Sequence, residues 1–203
     1  MKITKYTGGF VQTNAYLVET PDGNFLIDAP EGVANWLADK GVRLDDVLLT
    51  HQHYDHVQDA AALQATGAKL HAFADYSQDL TLETMLRSSG MPISVPPYQV
   101  DSKLVPGGAP LVLAGMEIEL AHVPGHSTDS VTLHIGAEKV LFSGDTLFAG
   151  SIGRTDLPNG SHQQLLDGIA RHLMVLPAET RVFPGHGSSS TLGAESASNP
   201  FLE

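Results

Sequence analysis

The chain has 203 residues, a formal charge of −12 and no cysteine. That length fits one domain, 1–203, with a real hydrophobic core. The acidic balance argues against nucleic acid or an anionic membrane surface as partner, and the missing thiols exclude disulfides, thiolate metal sites, iron–sulfur clusters and a Cys nucleophile.

Two apolar runs, 15–20 and 25–28, flank Pro21-Asp22-Gly23-Asn24 and predict a β-hairpin. Val33, Trp36 and Leu37 followed by Gly41 predict a short helix over 33–39. Val47-Leu48-Leu49 reads as a buried strand, 57–65 as an Ala-rich helix, 69–73 as a strand and 76–87 as a helix. This alternation implies a layered domain of strands and helices. The stretch 88–110 is rich in Ser, Pro and Gly and reads as a long surface connection, able to cover a pocket or form a homo-oligomer contact. Strands follow over 111–113, 117–123, 131–135 and 140–142, then a Gly-rich loop over 146–160. A helix over 161–173 has Ser161 as its N-cap, and 181–183 is the last strand. The polar stretch 188–200 reads as loosely packed. Two strand-rich halves suggest two sheets face to face with helices outside. Met1 to Glu19 lacks the apolar run of a signal peptide, and no stretch approaches the about 20 apolar residues of a membrane span, so a cytoplasmic chain without a membrane partner is expected.

The strongest chemical feature is His51-Gln52-His53-Tyr54-Asp55-His56, directly after the strand at 47–49. Residues two apart on extended backbone share a face, so His51 and His53 can aim at one spot. Asp55 and His56 fall where the next helix begins. Three imidazoles and a carboxylate in six residues suit zinc, iron or manganese. The competing reading is a solvated loop, but groups of this density are costly to pack without a partner. Three more candidates, His126, Asp145 and His186, each follow an apolar strand and a glycine. Glycine permits the tight turn and close approach that such a position needs. The other histidines, His71, His122, His134, His162 and His172, fall within predicted strands and helices and are read as non-ligands.

The pattern His-x-His-x-Asp-His with a distant His, Asp and His resembles the metallo-β-lactamase fold superfamily, over nearly the whole chain. The resemblance implies an α+β fold, an αββα sandwich of two central sheets flanked by helices with a metal site at one edge. By that likeness His51, His53 and His126 hold one divalent ion, Asp55, His56 and His186 hold a second, and Asp145 bridges them, with zinc foremost and iron or manganese as alternatives. Asp28, at the end of Leu26-Ile27-Asp28, takes the place of a residue supporting those ligands.

The loop Phe148-Ala149-Gly150-Ser151-Ile152-Gly153-Arg154-Thr155-Asp156 and the tail Thr191-Leu192-Gly193-Ala194-Glu195 with Asn199-Pro200-Phe201-Leu202 are similar to the short glyoxalase II-like hydrolases. The persulfide dioxygenases share Gly-Arg-Thr-Asp. After His126 the sequence reads Ser127-Thr128-Asp129-Ser130 where glyoxalase II typically has Thr-x-Gly-His, and the helical domain that follows in full-length glyoxalase II is expected to be missing. The expected reaction is hydrolysis of a small acyl thioester by metal-bound hydroxide, with Asp55 and Asp145 as the catalytic carboxylates. The alternatives are a mononuclear iron persulfide dioxygenase and a lactonase. Tyr54 either lines the pocket or packs structurally, and Arg154 either binds a substrate carboxylate or pairs with Asp156 or another acid.

Overall fold

The computed structural model describes residues 1–91 and 93–202. The chain forms two compact units, one of Met1–Leu104 with Leu113–Gly115 and one of Val105–Val112 with Met116–Glu203.

The first unit carries β1 (Lys2–Gly8), β2 (Thr13–Thr20), β3 (Gly23–Ile27), α1 (Val33–Asp39), β4 (Asp46–Leu48), α2 (Tyr54–Val57), α3 (Ala60–Ala65), β5 (Lys69–Ala72), α4 (Glu83–Ser88) and β6 (Ser102–Lys103). Its sheet runs in the order β1-β2-β3-β4-β5-β6. β1 to β3 form an antiparallel meander, and β3 to β6 are parallel. Parallel neighbours need crossovers, which the helices and the long connection supply. Leu17, Leu26, Val47 and Leu70 of the sheet pack with Val33, Leu37 and Leu63 of α1 and α3. Trp36, the one tryptophan, lies 5.3 Å from the Tyr6 ring with Lys40 Nζ 4.9 Å from its own ring centre. Because β3 and β4 are parallel, the residues after them emerge at one edge. Asp28 N–H donates to Leu48 O at 2.9 Å there.

One strand of this unit was missed and two expected helices need correction. β1 was not predicted, because Lys2-Ile3-Thr4-Lys5-Tyr6 is a partly exposed strand whose lysines mark an edge. The helix expected over 57–65 is two helices, α2 and α3, since Asp59 N–H donates to Ala29 O instead of continuing the helical ladder. The helix expected over 76–87 is confined to α4, because Leu82 sits in the left-handed region at φ 62° and stops helix formation on its N-terminal side. The connection over 88–110 contains β6 and is pinned by buried Val95, Tyr98 and Leu104.

The second unit is built on β7 (Leu111–Leu113), β8 (Met116–His122), β9 (Val131–Ile135), β10 (Val140–Gly144), β13 (Arg181–Pro184) and β14 (Ser190–Thr191), together with the hairpin of β11 (Leu147–Phe148) and β12 (Ser151–Ile152) and the helices α5 (His162–Gly168) and α6 (Leu192–Ser198). Its sheet order is β14-β13-β10-β9-β8-β7. Leu141, Val182, Leu165, Ile169 and Leu192 share one core. Ser161 caps α5 as predicted, its hydroxyl accepting the Gln164 N–H. The helix expected over 161–173 ends as a π turn over Ile169–Leu173. The loop expected over 146–160 holds the β11–β12 hairpin.

The tail over 188–200 is not loosely packed. Thr191 caps α6 through the Ala194 N–H, Leu192 is only 2% exposed, and Glu195 and Asn199 are buried. Burying Leu192 contributes about 1.5–3 kcal/mol toward docking α6. Among the described residues no helix is long and apolar enough to cross a membrane.

Candidate metal centre

The first unit gathers four of the expected donors and Asp28. His51, Gln52 and His53 follow β4 after Leu49 and Thr50, and His53 precedes the first residue of α2 at φ −58°, ψ 144°. The His51 ring centre lies 4.6 Å from that of His53 and 4.1 Å from that of His56. Donor atoms of His51 and His53 come within 4.8 Å of one another, as do those of His51 and His56. Asp28 organises this group. Its Oδ1 accepts the Thr50 N–H at 2.7 Å, and its Oδ2 lies 2.8 Å from both the Thr50 hydroxyl and His56 Nδ1. Thr50 Oγ1 is in turn 3.2 Å from His51 Nδ1. The consistent assignment has both imidazoles donating from Nδ1, His56 to Asp28 directly and His51 through the Thr50 hydroxyl. Each then presents its Nε2 lone pair, the form that binds a metal. The Thr13 hydroxyl donates to Asp55 Oδ2 at 2.7 Å, and the same oxygen lies 3.4 Å from His56 Nε2.

The second unit gathers the other three. β10 and β13 are parallel neighbours, with Phe142 opposite Phe183 and Gly144 opposite Pro184. Asp145 and His186 follow them at one sheet edge, tied by Gly185 N–H to Gly144 O at 2.8 Å. His126 reaches the same place from the β8–β9 connection. Asp145 Oδ2 lies 3.5 Å from His126 Nε2 and 3.3 Å from His186 Nε2. His126 Nδ1 donates to the Arg154 carbonyl at 2.8 Å, which again leaves Nε2 as a lone pair.

The donor set fits divalent metal. In each unit an imidazole Nε2 lies 3.3–3.5 Å from a carboxylate oxygen, close enough for both to coordinate one cation. Nitrogen and carboxylate donors of this kind suit zinc, iron or manganese.

The remaining expected residues are placed differently. Tyr54 is half-buried against the first core, and burial followed by the Asp55 charge pushes its phenol above the ordinary value. Arg154 forms a bidentate pair with Asp156, both contacts at 2.7 Å, on exposed surface. That pairing holds the Asp156 carboxyl down at about 2. It is the Arg154 main chain, not its guanidinium, that meets His126. Three histidines read as non-ligands have partners of their own: Asp46 for His71, Thr128 O for His122 and Glu119 for His134. Sequence reasoning missed Thr13, Thr50 and the Arg154 carbonyl. Thr50 had one signal, a hydroxyl beside the first ligand, and the other two had none.

Each unit thus carries a cluster of His and Asp donors suited to a metal ion. The model of the metallo-beta-lactamase superfamily matches residues 8–186, and the chain belongs to that superfamily. It is 34% identical to the hydroxyacylglutathione hydrolase GloC of Haemophilus influenzae over 94% of this chain and 93% of that one. Among solved structures it is similar to the BLEG-1 B3 metallo-beta-lactamase, with TM-score 0.89, 33% identity and 99% of each chain covered. It is also similar to TTHA1623 in a di-iron-bound form, with TM-score 0.80, 39% identity, and 98% of this chain and 100% of that one covered. The α+β fold with two sheets and helices is that of the superfamily, and the chain is a metallo-hydrolase.

Proposed function

We propose that the chain hydrolyses a small acyl thioester of the hydroxyacylglutathione type with two divalent ions bound. In this reading His51, His53 and His126 hold one ion, Asp55, His56 and His186 hold the other, and Asp145 serves both. The observation that carries it is the 34% identity to GloC across nearly the full length of both chains. When bound, such ions supply a water-derived nucleophile at neutral pH and polarise the acyl carbonyl. The chain's own residues prepare for that. Asp28 and Thr50 hold the first-unit imidazoles in one tautomer, and the Arg154 carbonyl does so for His126. The Thr13 hydroxyl occupies a lone pair of Asp55, which suits a ligand better than a base that must take up a proton. Zinc is the first candidate metal. The di-iron relative at 39% identity makes iron the second.

The test loads metal-free protein separately with zinc, iron and manganese and follows thiol release from a hydroxyacylglutathione and from an acyl-coenzyme A. Release of glutathione that depends on added metal, and that is lost with its metal in Asp145→Ala, is expected. Metal binding without thiol release from either thioester overturns the thioesterase reading. An Asp145→Ala variant that keeps full metal content and activity overturns the two-ion reading.

A further inference from the structure

The buried carboxylate of Glu195 lies outside the donor set, on α6, and it reaches the hairpin that serves that set. Its Oε2 accepts the Gly150 N–H at the hairpin tip at 2.8 Å and the Asn199 side-chain amide at 2.8 Å, and its Oε1 accepts the Ser190 hydroxyl. Asn199 also donates to Ser151 O at 3.1 Å. Two side chains of the tail therefore hold the β11–β12 turn where it enters β12. That hairpin is linked through the chain or by contact to all three donors of its unit. Asp145 lies two residues before it, the Arg154 carbonyl two residues after it accepts from His126 Nδ1, and the Phe148 ring meets His186 edge-on with centres 6.2 Å apart. Leu147 and Ile152 anchor the base of the hairpin in the core, with the Ser143 hydroxyl donating to Leu147 O at 2.8 Å, and the tail side chains add a hold at its tip.

We propose that Glu195, assisted by Asn199, is a positioning residue for the metal centre, acting through the β11–β12 hairpin on His126 and His186. The proposal rests on the reading of those histidines and Asp145 as ligands. Loss of the carboxylate frees the Gly150 turn, lets the Arg154 carbonyl drift from His126 Nδ1 and loosens that imidazole's orientation. Glu195→Gln keeps one oxygen for Gly150 and Asn199 and turns its amide to the Ser190 hydroxyl, so it preserves the grip that Glu195→Ala removes.

The experiment measures zinc affinity by chelator competition and the visible spectrum of the cobalt(II)-substituted full-length chain, for wild type, Glu195→Ala, Glu195→Gln and Asn199→Ala. Leu173→Ala, a core truncation in the same unit, is the control for plain loss of stability. The expected result is a zinc affinity about tenfold lower in Glu195→Ala with an altered cobalt spectrum, both restored by glutamine. Asn199→Ala shifts the spectrum the same way by less, and Leu173→Ala leaves it unchanged. An unaltered spectrum in Glu195→Ala, or an equal alteration in Leu173→Ala, overturns the proposal. If Glu195→Ala does not fold, an unaltered Asn199→Ala spectrum overturns it. A wild-type chain that binds no zinc or cobalt overturns instead the ligand reading on which the proposal stands.

Discussion

Asp28 shows how much a single side chain settles. It is buried, sits in the left-handed region at φ 60°, and accepts from Thr50 and His56. That backbone costs a non-glycine residue about 1–2 kcal/mol, and aspartate is among the few that adopt it. Asparagine keeps the shape but must turn an amide toward the Thr50 N–H or the His56 N–H. Asp28→Asn is expected to weaken zinc binding by about 10–100-fold, read by chelator competition. Asp156 gives a second prediction. The Arg154 guanidinium holds its carboxyl at about 2. The pair's contribution is thus present above the ordinary carboxylate range and disappears as pH falls through about 2. In Arg154→Ala the Asp156 carboxyl should titrate higher, toward the ordinary carboxylate range, read by NMR, with little loss of stability because the pair is exposed. The gathering of His51, His53, Asp55 and His56 was legible because their close spacing between β4 and α2 is written in residue identity. The Arg154 carbonyl was not, since any residue supplies one.

Elements were legible where one apolar period or one turn signal dominated, as in β2, β3 and the capped start of α5. They were illegible where a tertiary bond overrode the local pattern. Asp59 breaks a helix by donating to Ala29, and α6 folds from a polar stretch because Leu192 and Glu195 have buried partners. Glycines at the junctions carry a test of element packing. A Cβ on Gly153 would overlap the Asp145 carbonyl oxygen and lie 3.1 Å from His126 Cβ, whereas one on Gly41 meets nothing within 4 Å. Gly153→Ala should therefore cost about 1–3 kcal/mol in urea denaturation and displace the Asp145 turn. Gly41→Ala, at φ 66°, should cost only the backbone term of about 1 kcal/mol.

At the scale of the whole chain, metal and stability are linked. An ion that binds the folded chain and not the unfolded one stabilises it by about 2.7 kcal/mol at a free concentration one hundred times Kd. Zinc added to metal-free protein should raise Tm in proportion to the logarithm of its concentration, and a chelator should reverse the shift. A Tm indifferent to zinc, iron and manganese would count against the donor set as a metal centre. Trp36 adds a consequence of another kind. The chain's one indole lies in the first unit, against Tyr6 and Lys40. Its fluorescence therefore reports the melting of that unit alone, while far-ultraviolet dichroism reports strands and helices of both. Coincident curves would mean that the two units unfold as one cooperative body, and separated curves would give each its own transition without any added label.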